Sequence, residues 1–281
     1  MIELKTIVCG AGINGIASAL WLKRAGVDVT LVDQKGPAAG TSFGNAGVLS
    51  SGSVIPITVP GIARKAPAML LDPKSPLFIR WGYLPKLVPF LKHYLKYATS
   101  DHVRYYANSM YTLIGDSLSQ HIDLAKGTGA EKFISDHDYC YAYSTQGAFN
   151  SDSWAWELRK SLGIEFDVVE GEEFSESDPL YHGKFCTVVR NKNHGRINDP
   201  GAYLKALFDE FISLGGRFEQ VKVISLRKSN GKLSAIQVSN GEMTADTFVF
   251  ALGPWSGDIA RLLGLSVPFE SEGGYHIELI N

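Results

Sequence analysis

The first apolar run, Thr6-Ile7-Val8-Cys9, is short and unbroken, as in a strand buried on both faces. Glycines punctuate Gly10 to Gly15. Ile13 to Ala25 then carries small residues, Ala17, Ser18 and Ala19, where a helix must approach a sheet. Gly26 is placed to stop that helix, as a C′ glycine does. A second strand-like run, Val27 to Val32, ends at Asp33. This order predicts strand, turn, helix and strand, a βαβ start within about thirty residues. Lys35 to Pro76 is a long stretch rich in Gly, Ser, Ala and Pro, and loops of that length in compact domains are usually functional.

Helical periodicity returns at Leu84 to Ala98. Leu84, Leu87, Val88, Leu91, Leu95 and Ala98 share one face, Lys86, Lys92, His93 and Lys96 fall elsewhere, and Pro89 is expected to bend the helix. A longer helix is expected over Val103 to Ala125. Strand-like runs follow at Tyr139 to Ser144 and Thr187 to Arg190. Tyr139, Tyr141 and Tyr143 alternate along one face of the first, the pattern of a sheet wall. Between them Glu165 to Asp178 is acidic and has no Lys or Arg. Asn198-Asp199-Pro200 opens a helix that runs to about Leu214 and stops at Gly215-Gly216. Arg217–Arg227, Leu233–Ser239 and Met243–Ala251 read as a strand meander turned at Asn230-Gly231 and Asn240-Gly241. A short helix at Trp255 to Leu263 and a strand at Tyr275 to Ile280 complete the pattern.

Composition narrows the classes. With 281 residues, 45% hydrophobic and 20% charged, the chain is globular and holds one large domain or two interleaved ones. A net charge of -2 gives no support to nucleic-acid binding. Cys9, Cys140 and Cys186 are odd in number and far apart, which argues against a disulfide framework or a cysteine-based metal site and suits a reducing, cytoplasmic setting. No apolar run reaches the ~18–20 residues of a membrane span. Ile7 to Leu22 is too interrupted by glycines and Asn14 to read as a signal peptide.

The chemistry starts at Gly10-Ala11-Gly12-Ile13-Asn14-Gly15, a G-x-G-x-x-G turn between a strand and a helix. Its first glycine allows the tight turn, its second lets backbone approach a pyrophosphate, and its third lets the helix sit close to the strand. The helix N-terminus offers free N–H groups and a positive dipole end to phosphates. Asp33 stands at the end of the second strand, the place of a carboxylate that holds ribose hydroxyls, and it disfavours NADP. A nicotinamide-binding domain would continue directly into another crossover helix. Here Gly40-Thr41-Ser42-Phe43-Gly44-Asn45-Ala46-Gly47 leaves bare backbone and hydroxyls, suited to lying along pyrophosphate, ribitol and an isoalloxazine ring, although a surface loop would read the same alone. Thr247 to Ser256 is a hydrophobic strand ending at Gly253, where backbone must pass close to something, or a plain strand–helix junction.

Together these segments resemble the FAD-dependent D-amino-acid oxidase and dehydrogenase superfamily. Phe43 to Leu84, His194 to Pro200 and Gly273-Gly274-Tyr275-His276 look most like its D-amino-acid dehydrogenase branch. The resemblance covers essentially the whole chain. It implies an α/β Rossmann-like FAD-binding domain, residues 1–80 plus 184–268, interleaved with an α+β, mixed-sheet substrate domain, residues 81–183 plus 269–281. It also implies that members run on past Tyr275-His276, with a substrate arginine and a last flavin-binding segment outside these residues, so this chain alone is expected to turn over little.

The implied reaction oxidises a D-amino acid to a 2-oxo acid and ammonia by hydride transfer to flavin N5. Electrons pass to a respiratory or other non-oxygen acceptor such as a quinone. In that reading Gly10, Ala11, Gly12, Ile13, Asn14 and Gly15 hold the pyrophosphate, and Asp33, with Gln34 beside it, the adenosine ribose. Thr41, Ser42, Asn45, Ala46 and Gly47 line pyrophosphate and flavin, Val223 meets adenine through its backbone, and Gly253 crowds the ribityl chain. Tyr275 and His276 are the candidates on the substrate side, with core packing as the alternative; no metal is expected. Glycine- or sarcosine-oxidase-like amine oxidation and a non-catalytic FAD-binding subunit are the competing readings. His194 and Arg196 read as a solvated turn. The basic balance of Gly61 to Arg104 leaves peripheral contact with the inner membrane open beside a solvated helix face.

Overall fold

A computed structural model describes residues 4–64, 70, 81–267 and 273–274. In chain order its elements begin β1 (Lys5–Cys9), α1 (Ile13–Arg24), β2 (Asp28–Asp33), β3 (Val48–Leu49), α2 (Leu84–Lys96), α3 (Ser100–Ile114) and α4 (Ser117–Ala125). There follow β4 (Ile134–Asp136), β5 (Tyr139–Tyr143), α5 (Gln146–Ser151), α6 (Ser153–Ser161), β6 (Phe166–Glu170), α7 (Gly171–Ser177), β7 (Thr187–Asn191) and β8 (Gly195–Ile197). The chain continues with α8 (Pro200–Ser213), β9 (Arg217–Gln220), β10 (Val223–Ser229), β11 (Lys232–Val238), β12 (Gly241–Thr244), β13 (Thr247–Phe250) and α9 (Ser256–Leu263).

Contacts divide the chain into two units, residues 1–48, 120–135 and 196–281, and residues 49–119 and 136–195. These bounds differ from the expected 1–80 plus 184–268. Val54 packs with Val103 and Leu158, which draws the segment after residue 48 into the second unit. The His121 ring nitrogen Nδ1 lies 2.9 Å from the Tyr203 hydroxyl, which ties residues 120–135 to the first.

The first unit is built on a parallel sheet in the order β13-β1-β2-β9. Ile7, Val8 and Cys9 are all buried, as a central parallel strand covered on both faces requires. Alternation sends Ile7 and Cys9 to one face, where they pack with Val32, Val221, Ile236 and Val238. Along α1 the residues Ile16, Ala19 and Leu20 are buried, and along α8 Leu204, Leu207 and Phe211, at the spacing of one helical face. Asp199 caps α8 by accepting from the Ala202 N–H at 2.9 Å, with Pro200 in the first turn, as the sequence indicates.

The meander differs from expectation. Only its middle is antiparallel, in the order β10-β11-β12. Arg217–Arg227 breaks after Gln220 because β9 joins the parallel sheet, with Leu31 opposite Phe218. Met243–Ala251 breaks after Thr244 because β13 pairs with β1, Val8 opposite Val249.

The second unit holds an antiparallel sheet in the order β5-β7-β6 and a helical cluster where Val103 and Ala107 of α3 meet Leu158 of α6. The long helix expected over Val103 to Ala125 is two helices, because Gly115 caps α3 through its N–H to the Tyr111 carbonyl at 2.9 Å. Three helices, α5, α6 and α7, lie where no helical pattern was legible, the last within the acidic segment. The tyrosines of β5 pack: Tyr139 meets Tyr141 edge-on at 5.2 Å, and Tyr141 meets Trp156 edge-on at 5.2 Å. The strand expected at Tyr275 to Ile280 lies outside the described residues.

Candidate cofactor site

At the C-terminal end of β1 the chain makes its glycine turn with three separate constraints. Gly10 has φ +106, and a Cβ there would strike the Ala251 carbonyl, so the first glycine serves both conformation and the close pass of β13's end. A Cβ on Gly15 would collide with the Gly10 carbonyl, so the third glycine lets α1 sit on the turn. Gly12 is different. Its backbone is extended, and its Cβ would meet only the Ser42 hydroxyl, at 3.2 Å. What Gly12 leaves open is space in front of the helix.

That space is the mouth of α1. The helix has no acidic residue in its first turn, and Gly12 supplies no capping side chain. Ser42 Oγ accepts from the Ile13 N–H at 3.1 Å, so a hydroxyl from the following loop sits where an anion would. A cavity of about 350 Å³ opens here, large enough for part of a dinucleotide, with the glycine turn and Asp33 on one side and Val221, Val223 and Leu252 among its apolar walls.

Asp33 organises the rim. Its Oδ2 accepts from the Ala11 N–H at 2.9 Å, and its Oδ1 accepts from the N–H groups of Lys35 at 2.7 Å and Gly36 at 3.0 Å. One carboxylate thus ties the glycine turn to the loop after β2. A carboxylate has about four acceptor positions, so capacity remains for a hydroxyl donor.

Of the expected cofactor residues, Gly10, Ala11, Gly12, Ile13, Asn14, Asp33, Gln34, Thr41, Ser42, Val223 and Gly253 line this cavity. Gly15, Asn45, Ala46 and Gly47 are not among its lining residues. Asn45 braces its own loop, donating to the Ser42 carbonyl at 3.1 Å and accepting from the Gly47 N–H at 2.7 Å. Gly47 has φ +67 and its carbonyl accepts from the Ile197 N–H at 2.7 Å, an approach that a side chain would block. Tyr275 and His276 lie outside the described residues. The cavity also takes in Trp255 and Ile259, which sequence reasoning did not single out. Trp255 directly follows Gly253-Pro254, and that adjacency was the available signal. Cys9 closes the strand below. Burial pushes its thiol up to about 12, so it is an inert core group.

The family described as FAD dependent oxidoreductase, DAO, matches residues 5–280. The chain belongs to this family. FAD is accordingly the cofactor, and the residues present fit it: a side-chain-free opening at Gly12 before a helix start whose first N–H is met by the Ser42 hydroxyl, and a carboxylate at the end of β2. A protein named D-amino-acid oxidase from Bradyrhizobium diazoefficiens is 36% identical over 277 residues, covering 98% of this chain and 66% of that protein. D-amino acid dehydrogenase 1 of Mesorhizobium japonicum is 27% identical over 279 residues, covering 98% of this chain and 66% of that protein. The chain therefore spans just under two thirds of the length of these relatives.

Among solved structures, L-proline dehydrogenase of P. horikoshii superposes with a TM-score of 0.62 at 15% identity, over 93% of this chain and 56% of that one. Glycine oxidase of Geobacillus kaustophilus superposes with a TM-score of 0.63 at 16% identity, over 94% of this chain and 59% of that one. At such identities the likeness is one of fold. Among the described residues no helix is long and apolar enough to cross a membrane, and no cluster of His, Cys, Asp or Glu could hold a metal ion.

Proposed function

We propose that this chain acts as an FAD-dependent oxidoreductase that oxidises D-amino acids and delivers the electrons to an acceptor other than oxygen. The observation that carries the reading is the open space before Gly12 and the α1 N-terminus, rimmed by Asp33, in a chain whose relatives are named for D-amino acids. When bound, FAD supplies the hydride acceptor by which a D-amino acid becomes an imine, which water converts to the 2-oxo acid and ammonia.

The chain's own part is placement. Gly10 to Gly15 keep side chains away from the pyrophosphate, and the first N–H groups of α1 face its charge. Ser42 Oγ, now an acceptor for Ile13, is free to donate its proton to a phosphate oxygen. Asp33 and Gln34 take the ribose, Val223 offers backbone to adenine, and Gly253 admits the ribityl chain. Thr41, Asn45, Ala46 and Gly47 carry the flavin edge, and Tyr275 and His276 stand on the substrate side.

The acceptor we propose is a membrane quinone. The support is α2, a 13-residue helix with no buried residue whose polar positions include Lys86, Lys92 and Lys96. Such a helix suits the surface of an anionic inner membrane.

The test is dye reduction by the FAD-loaded chain, and by any longer natural form, with D-alanine, L-alanine and sarcosine. Preference for D-alanine is expected. Preference for sarcosine favours the glycine-oxidase-like reading, and full flavin with no turnover in either form favours a non-catalytic FAD-binding subunit.

A further inference from the structure

His194 reads in sequence as part of a solvated turn, but it is 1% exposed, and its neighbour Arg196 is the exposed one. Both ring nitrogens are committed. Nδ1 lies 2.7 Å from the Lys192 carbonyl, which only accepts, so Nδ1 carries the proton. Nε2 lies 3.2 Å from the Gly52 N–H, which only donates, so Nε2 is bare. The ring is held as the neutral Nδ1–H tautomer.

The partner turn is held from both sides. Arg159 is 7% exposed, and its Nε donates to the Gly52 carbonyl at 3.1 Å. Ser51 Oγ donates to the Asn193 carbonyl at 3.1 Å and lies 3.3 Å from His194 Nδ1. A Cβ on Gly52 would meet His194 Cε1 at 3.1 Å and Asn191 Cγ at 3.6 Å, so any larger residue there would press on the ring. Ser51 follows Gly47, the last residue of the proposed flavin loop, by four positions.

We propose that His194 is a positioning residue: its neutral imidazole latches the Ser51–Gly52 turn and thereby anchors the end of the Thr41–Gly47 loop, so that acid weakens FAD binding. The claim rests on the reading of that loop as a cofactor loop. Protonation at Nε2 would set an N–H against the Gly52 N–H and add a second cation beside Arg159. Among the described residues the charged and titratable groups around the ring include Arg159 from α6, which shares Gly52 with it, Tyr139 stacked at 5.8 Å from β5, and Asp138, whose carboxylate pairs with Lys192 Nζ at 2.8 Å. Burial, and then Arg159, hold His194 below the ordinary histidine range, against the pull of the Lys192 carbonyl and Asp138. Asn191 is fully buried beside the same glycine, and neither atom of its amide is hydrogen-bonded.

The test is the FAD dissociation constant of the chain from about pH 8 to about pH 5, in unmutated form and as His194→Gln, which keeps an acceptor but does not titrate. For the unmutated chain the constant should rise by up to tenfold per pH unit below the His194 pKa, the limit for one linked proton. The variant should match it within about threefold at pH 8 and lose that extra dependence. Equal pH dependence in both overturns the proposal. Should the variant fail to fold, an NMR titration of His194 with Gly52 amide exchange in the unmutated chain decides. Exchange that rises as His194 protonates supports the latch; an Nε2–H tautomer, or exchange indifferent to His194, overturns it. Failure of the unmutated chain to take up FAD at pH 8 counts against the cofactor loop, and the NMR measurement still decides the latch.

Discussion

The Ala11 N–H donates to Asp33 Oδ2 at 2.9 Å, joining the first crossing of the glycine turn to the end of the second strand. This bond gives Asp33 a structural task besides any contact with ribose, because the same carboxylate accepts from Lys35 and Gly36. Asp33→Ala would leave three backbone donors without it. Hydrogen bonds to charged groups contribute about 1.5–3 kcal/mol each when buried, and this site is partly exposed, so a loss of about 2–4 kcal/mol is expected by denaturant titration. Asp33→Asn keeps an acceptor at one oxygen and should recover part of that loss. A melt unchanged in Asp33→Ala would show that the carboxylate serves the ligand alone.

The two glycines of the turn should separate in their effects. Gly12→Val places its side chain toward Ser42 Oγ and the open cavity, in an extended backbone that valine adopts readily. It should fold, by circular dichroism, and hold little flavin. Gly15→Ala sets a methyl group against the Gly10 carbonyl and should lower stability before binding is considered. Normal flavin content in Gly12→Val would contradict the placement of the pyrophosphate.

Acid should destabilise the fold through two histidines. Burial lowers the pKa of His121, which lies 2.9 Å from the Tyr203 hydroxyl, and burial also lowers that of His194. The folded state thus resists a proton that the unfolded chain accepts near pH 6.5. Stability is fully present above that value and declines as pH falls below it, by up to about 1.4 kcal/mol per pH unit for each histidine. Urea midpoints from pH 8 downward should fall, and His121→Asn should flatten part of the decline. Midpoints independent of pH across this range would contradict the burial of both rings.

If α2 rests on lipid, the chain should sediment with anionic vesicles at low ionic strength and detach as salt screens the lysines. Replacing Lys86, Lys92 and Lys96 with Glu should abolish sedimentation without changing flavin content. Equal sedimentation with neutral vesicles would point to Val88 and Phe90, 53% and 59% exposed, as a purely apolar contact instead.

Much of the cofactor side was legible because it depends on local pattern. The glycine spacing, the acid after the second strand and the capping Asp199 are short-range signals, and the structure forms β1, α1, β2 and α8 where they predict them. What escaped depends on distant partners. The meander splits because β9 and β13 are claimed by the parallel sheet, and nothing within either strand announces its neighbour. Asn45 and Gly47 carry the right residue types for a flavin loop, yet in the fold they brace one another and Ile197. His194 looked solvated because its burial is built by Gly52 and Arg159, 142 and 35 positions away.

Flavin retention is the sharpest check on the proposal that this chain holds FAD in the cavity between Gly12, Asp33 and Val223. The chain should be mixed with FAD, desalted and its visible absorbance recorded alongside its thermal melt. One flavin per chain is expected, with stability raised by excess FAD, by about 2.7 kcal/mol at a hundredfold excess over the dissociation constant. A colourless chain whose melt ignores FAD but rises with NADH would contradict it.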